Sequence, residues 1–137
     1  PPPYTTVALN GHENMRLALD VTAEREKNCD DTVVTGVLVG RKEFINENKD
    51  ALASFLKEYE ASTAYANSNI DDTATLLEKY DITKAPIAKK AIPYCNVTFI
   101  TGEEMKTKAM SYLTVLFNEN PASIGGKLQE GMFYLED

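Results

Sequence analysis

The stretch that most constrains the fold is Thr32 to Asn67. It opens with Thr32-Val33-Val34-Thr35-Gly36-Val37-Leu38-Val39, a run rich in β-branched residues and free of charge. A strand buried on both faces reads this way. After Gly40, Arg41 and Lys42 the pattern changes. Leu52, Phe55, Leu56, Tyr59, Thr63 and Ala66 recur at helical spacing and form one face of a long helix, with Asn48 or Asp50 at its start. Phe55 lies at the centre of that stripe and is expected to be core. A buried strand feeding a long amphipathic helix is half of a βαβ unit, so the expected class is α/β.

The rest of the chain is mostly helical in pattern. Pro1-Pro2-Pro3-Tyr4 reads as a stiff, extended lead-in. Thr5 to Asn10 has room for one or two helical turns, with Asn10-Gly11 as a stop. Met15 to Leu19 alternates and reads as a strand, and Asp20 to Asp31 as a solvated loop or frayed helix. Ala74, Leu77 and Tyr80 mark a second helix, capped by Asn69 or Asp71. Ile87, Ala88, Ala91 and Ile92 mark a third, with Thr83 as cap, Pro86 in its first turn and Pro93 as its end. Val97 to Ile100 is expected to be briefly extended. Thr101 and Glu104 have the capping-box spacing ahead of a helix carrying Met105, Ala109, Tyr112, Leu113, Leu116 and Phe117. Ser123-Ile124-Gly125-Gly126 reads as a tight turn, and Met132-Phe133-Tyr134-Leu135 as an apolar tail. Two or three strands are too few for an ordinary sheet of about five or six. Either a second copy or a longer parent chain is expected to complete it.

Chemistry is sparse. At 137 residues and 43% hydrophobic, one globular domain spanning residues 1–137 is expected. A net charge of -7 argues against a nucleic-acid partner, which needs clustered Lys and Arg. No apolar run reaches membrane-span length. The single His12 excludes a multi-histidine metal site, so no metal or cofactor is expected. Cys29 and Cys95 are expected to be free thiols, and nothing local joins either to His12 as a nucleophile pair. No phosphate loop or nucleophile elbow is present; Gly125-Gly126 lacks the Lys-Ser or Lys-Thr that a phosphate loop carries. The acid pairs Asp30-Asp31, Asp71-Asp72 and Glu103-Glu104 suit a solvated loop and two helix starts. Asn96-Val97-Thr98 matches a glycosylation acceptor, a pattern that arises often by chance. Lys89-Lys90 suits a helix end without any anion. Two loops have a composition suited to a small ligand: Tyr4, Thr5 and Thr6 on the proline lead, and Tyr94 with Asn96 between two helices. The competing reading of both is ordinary packing with wet hydroxyls.

The run Gly36-Val37-Leu38-Val39-Gly40-Arg41-Lys42-Glu43-Phe44 and the following Ala51-Leu52 helix resemble substrate-binding proteins of ABC importers. The subgroup is the one that handles nitrate, taurine, aliphatic sulfonates and thiamine precursors. Pro3-Tyr4-Thr5-Thr6-Val7-Ala8 resembles that family's return from its second lobe, and Ala91-Ile92-Pro93-Tyr94-Cys95-Asn96 its late cleft loop. Pro121 to Leu128 with Phe133-Tyr134 resembles its C-terminal ending. The resemblance implies a partial lobe of a type II periplasmic-binding-protein fold, the C-terminal segment of a longer protein, with the other strands and the second lobe missing. It further implies a non-catalytic solute-capture protein, extracytoplasmic, periplasmic or a lipid-anchored surface lipoprotein, partnered by an ABC permease. Tyr4, Thr5, Thr6, Tyr94 and Asn96 would then contact the solute. The alternative, from a different class, is a stand-alone helical interaction or dimerisation domain. A third reading is an enzyme resembling the thiamine-pyrimidine synthase of the same fold. That enzyme depends on a cysteine-rich iron motif, and Cys29 and Cys95 stand isolated.

Overall fold

The computed structural model describes residues 2–28 and 33–128, apart from the Glu26 side chain. Its elements in order are α1 (Tyr4–Gly11), α2 (Val21–Asn28), α3 (Lys42–Glu47), α4 (Lys49–Ser68), α5 (Ile70–Lys79), α6 (Ala85–Ala91) and α7 (Gly102–Glu119). Short 3-10 turns cover Ile92–Tyr94 and Pro121–Ile124. Among the described residues there is no strand. The α/β expectation, and with it the partial periplasmic-binding-protein lobe, is therefore corrected to a helical protein. Val33–Val39 and Met15–Leu19 carry strand-like patterns but adopt no regular element. The physical reason is that a strand satisfies its backbone only through a neighbour, whereas a helix does so within its own segment. With no partner strand among the described residues, the strand pattern leaves no ladder.

The chain divides into two compact units. One comprises Pro1–Leu17 and Glu43–Phe99, the other Ala18–Lys42 and Ile100–Asp137. In the first unit the tightest packing is α5 against α6. Ala74, Ala88 and Ile92 form the buried cluster, flanked by Ile70, Leu77 and Ala85. Alanine at 74 and 88, exposed by only 2% and 1%, lets the two backbones approach closely. Ala91 is buried on the same face, so the apolar positions expected for this helix are the ones that pack. α1 lies on α6, where Lys90 Nζ donates to Asn10 Oδ1 at 2.9 Å. α4 contacts α5 and the Ile92–Tyr94 turn, and Asn67 Nδ2 reaches Val97 O at 2.8 Å.

Helix ends differ from the sequence expectation in an informative way. Asn48 precedes α4, but its amide donates back to Phe44 O at 2.9 Å. Asn69 precedes α5, yet both its backbone N–H and its side-chain amide return to Tyr65 O, at 2.8 and 3.2 Å. Each asparagine closes the helix behind it instead of capping the one ahead. Thr101 occupies the start of α7 without a side-chain capping bond, and Glu104 pairs instead with Lys108 at 3.3 Å. Asp20 is the cap that sequence reasoning missed: its Oδ1 accepts from Ala23 N–H at 3.1 Å and starts α2. α5 ends in a Schellman turn. Asp81 takes a left-handed φ of 55°, Ile82 N–H bonds Leu77 O at 2.9 Å, and Asp81 N–H bonds Glu78 O at 3.0 Å.

In the second unit, the predicted stripe of α7 is half-buried along its length: Met105, Ala109, Tyr112, Leu113, Leu116 and Phe117. The Pro121–Ile124 turn folds back on α7. Gly125 and Gly126 follow with φ of 80° and 82°, values that an L side chain rarely adopts. The Arg25 guanidinium of α2 lies 5.9 Å from the centre of the Tyr112 ring.

Candidate functional site

All five predicted ligand residues fall in the first unit. The lead-in is not extended there: Pro3 has α-region dihedrals and its carbonyl accepts from Val7 N–H at 3.0 Å. Tyr4, Thr5 and Thr6 accordingly form the first turn of α1, with Tyr4 exposed and both threonines half-buried. Tyr94 ends the 3-10 turn and is exposed. Asn96, also exposed, takes a left-handed φ of 50°, a conformation that asparagine tolerates better than most residues. Among the described residues no hydrogen bond or ring contact joins the α1 group to Tyr94 or Asn96. The tie between their elements runs through Asn10 and Lys90.

Neither of the two depressions found among the described residues is lined by any of the five. One shallow depression in the described surface, about 410 Å³, is lined by the consecutive residues Asn46 to Ala51. A second, about 350 Å³, is lined by Ser68 to Asp72. Each is the notch where one helix follows another in a single continuous stretch of chain. A solute site instead brings polar groups together from several elements around an apolar wall.

Two ionisable groups among the described residues depart from their ordinary range. Cys95 is exposed as a residue, but its sulfur turns back toward the helix and donates to Ala91 O at 3.3 Å. That partial desolvation pushes the thiol up, away from the reactive thiolate. Tyr65 Oη donates to Asp72 Oδ2 at 3.1 Å, and this bond, followed by the carboxylate's charge, pushes the phenol up. Lys89 pairs with Asp71 at 2.7 Å, so the Lys89-Lys90 pair is occupied with α5 and α1. Among the described residues no three His, Cys, Asp or Glu side chains gather as metal ligands. Cys29, the Asp30-Asp31 pair and the Met132–Leu135 tail lie outside the described residues.

The most distinctive surface of the first unit is aromatic. Phe55 and Tyr59 stack on α4 with centroids 5.9 Å apart and planes 11° apart, and Phe99 meets Tyr59 edge-on at 5.9 Å. Phe55 remains 48% exposed, so its expected core position is corrected to a surface stack. The fold and surface define a small helical protein with a minimal alanine-based core. No protein-family model, curated protein or solved structure matches the chain.

Proposed function

We propose that this chain is a non-catalytic helical interaction domain that completes its apolar burial by associating with a second copy of itself. The observation that carries this reading is an imbalance. The residues removed from water are mainly alanines with Ile92, while Val37, Leu38, Val39, Phe44, Phe55 and Leu76 stay substantially exposed. Apolar area left in water is a driving force for association. Solute capture, the function implied by the importer resemblance, requires a sheet-bearing lobe facing a second lobe across a cleft. With the fold corrected and the five residues spread over two separate turns, no geometric observation favours that reading over association. The raised Cys95 thiol likewise gives no support to a thiol enzyme.

Association stabilises the folded form by mass action. Sedimentation velocity combined with thermal melts, from low to high micromolar protein, tests the reading. The expected result is a sedimentation coefficient and a Tm that both rise with concentration. A compact monomer whose cooperative melt ignores concentration overturns it.

A further inference from the structure

We propose that Asn10 is a self-modifying site, converted to an aspartyl or isoaspartyl residue by ring closure with Gly11, with the Lys90 ammonium drawing charge from the reacting amide. The site stands on the contact between α1 and α6 and is independent of the association reading above.

The first support is in the sequence and its placement. Asn10 is the single asparagine of the chain that a glycine follows. The chemistry is intramolecular: the backbone nitrogen of the following residue attacks the side-chain carbonyl carbon of asparagine and closes a cyclic imide. Glycine permits this best, because it has no Cβ to obstruct the attack and its backbone reaches the dihedrals that the ring requires. Asn10 and Gly11 are both exposed and end α1. A Cβ built on Gly11 would meet nothing within 4 Å, so the space beside its backbone is open. His12, the next residue, already leaves helical geometry, with φ of -143° and ψ of 106°. The last turn of a helix opens readily, and opening frees the Gly11 nitrogen to turn toward the side chain.

The second support is the Asn10 side chain. Lys90 Nζ donates to Asn10 Oδ1 at 2.9 Å. An ammonium carries donors only, so this contact fixes the amide with its oxygen toward Lys90 and its nitrogen away. Among the described residues no hydrogen bond engages Nδ2. Lys90 thus holds the side chain while the backbone beyond it moves. The leaving nitrogen is unheld, and the oxygen that gains negative charge at the tetrahedral stage already has a cationic donor. Donors placed on a developing oxyanion are a main source of acceleration in acyl transfer. In the step, the bond from Gly11 N to Asn10 Cγ forms and the N–H proton passes to solvent. The Cγ–Nδ2 bond breaks and ammonia leaves. Water then opens the imide at either carbonyl, giving aspartate or an isoaspartyl link, with no oxidant or cofactor. In the aspartyl product the new carboxylate faces the same ammonium. A neutral-acceptor hydrogen bond between α1 and α6 becomes an ion pair, and the net charge falls below -7.

The test is incubation of the full chain in mildly alkaline buffer. Conversion is read at each asparagine by peptide mapping and mass spectrometry, and helicity is checked by circular dichroism. Asn10 is expected to convert about tenfold or more faster than Asn96, which lies outside any helix and is followed by Val97. Gly11→Ala is expected to slow it about tenfold or more. Lys90→Met is expected to slow it about threefold or more, and Lys90→Arg, which keeps a cationic donor, to stay within about twofold of the starting protein. A lysine that served only to tie down α1 would give the opposite sign, because its loss would loosen the helix end and speed conversion. In guanidinium chloride, where the contact is gone, the starting protein and Lys90→Met should convert alike. Asn10 that converts no faster than Asn96 overturns the site. Conversion in folded Lys90→Met that is unchanged or faster overturns the part given to Lys90, and with it the proposal.

Discussion

Residues 70–92 and residues 33–41 are both rich in apolar side chains, yet they end in opposite states. The first stretch forms α5 and α6 and holds the buried Ala74, Ala88 and Ile92. The second carries the strongest strand pattern in the chain and forms no regular element. The difference lies in where each finds its hydrogen bonds. Helix bonds close within the segment, so two short helices need only a pair of small faces to pack together. Strand bonds must come from elsewhere, and among the described residues nothing supplies them. A pattern that describes burial thus becomes, without a partner, a surface that remains available.

The largest effect that sharpens this contrast is expected at Ile92. Truncation to alanine removes the bulkiest buried side chain of the α5–α6 cluster and should cost about 2–5 kcal/mol, read by denaturant unfolding. A loss below about 1 kcal/mol would move the centre of stability away from this pair. A smaller effect is expected at Phe55. Its ring is half exposed and stacked on Tyr59, so Phe55→Ala should cost only about 1 kcal/mol. A loss as large as that at Ile92 would mean that the α4 stripe is buried after all, in the way its spacing alone suggests.

The smallest effect is a matter of pH. The hydrogen bond to Asp72 raises the Tyr65 phenol above its unfolded value. A raised folded-state value means that the tie's contribution is fully present below the ordinary tyrosine range, about pH 10, and is lost as pH climbs through the folded value. Phenolate absorbance followed through alkaline pH should therefore show one late-titrating tyrosine that disappears in Tyr65→Phe. Curves that superimpose after scaling for six tyrosines instead of seven would remove Asp72 as its partner.

Helices were legible from spacing because their signals are local. Ala88, Ala91 and Ile92 were readable as one packed face, and Met105 through Phe117 as the inward side of α7. Pro86 fell in the first turn of α6, as its missing N–H requires. Cap assignments were less legible, since Asn48 and Asn69 stand between two helices and the sequence does not say which they serve. Their bonds to Phe44 O and Tyr65 O settle it in favour of the preceding helix. Least legible was what lies beside a strand pattern. Val33–Val39 implied neighbours, and the α/β class was built on that implication. Tyr4, Thr5 and Thr6 were read on an extended lead, but Pro3 turns the chain directly into α1.

The contrast between the two stretches is tested most directly by amide hydrogen exchange, followed residue by residue at low and high protein concentration. Amides in the middle of α5 and α6 should be protected equally at both concentrations, because their bonds are internal. Those of residues 33–39 should exchange freely when dilute and gain protection only as the chains associate. Protection of 33–39 that is already present in dilute protein would contradict this, since it would mean that the run finds its partner within its own chain.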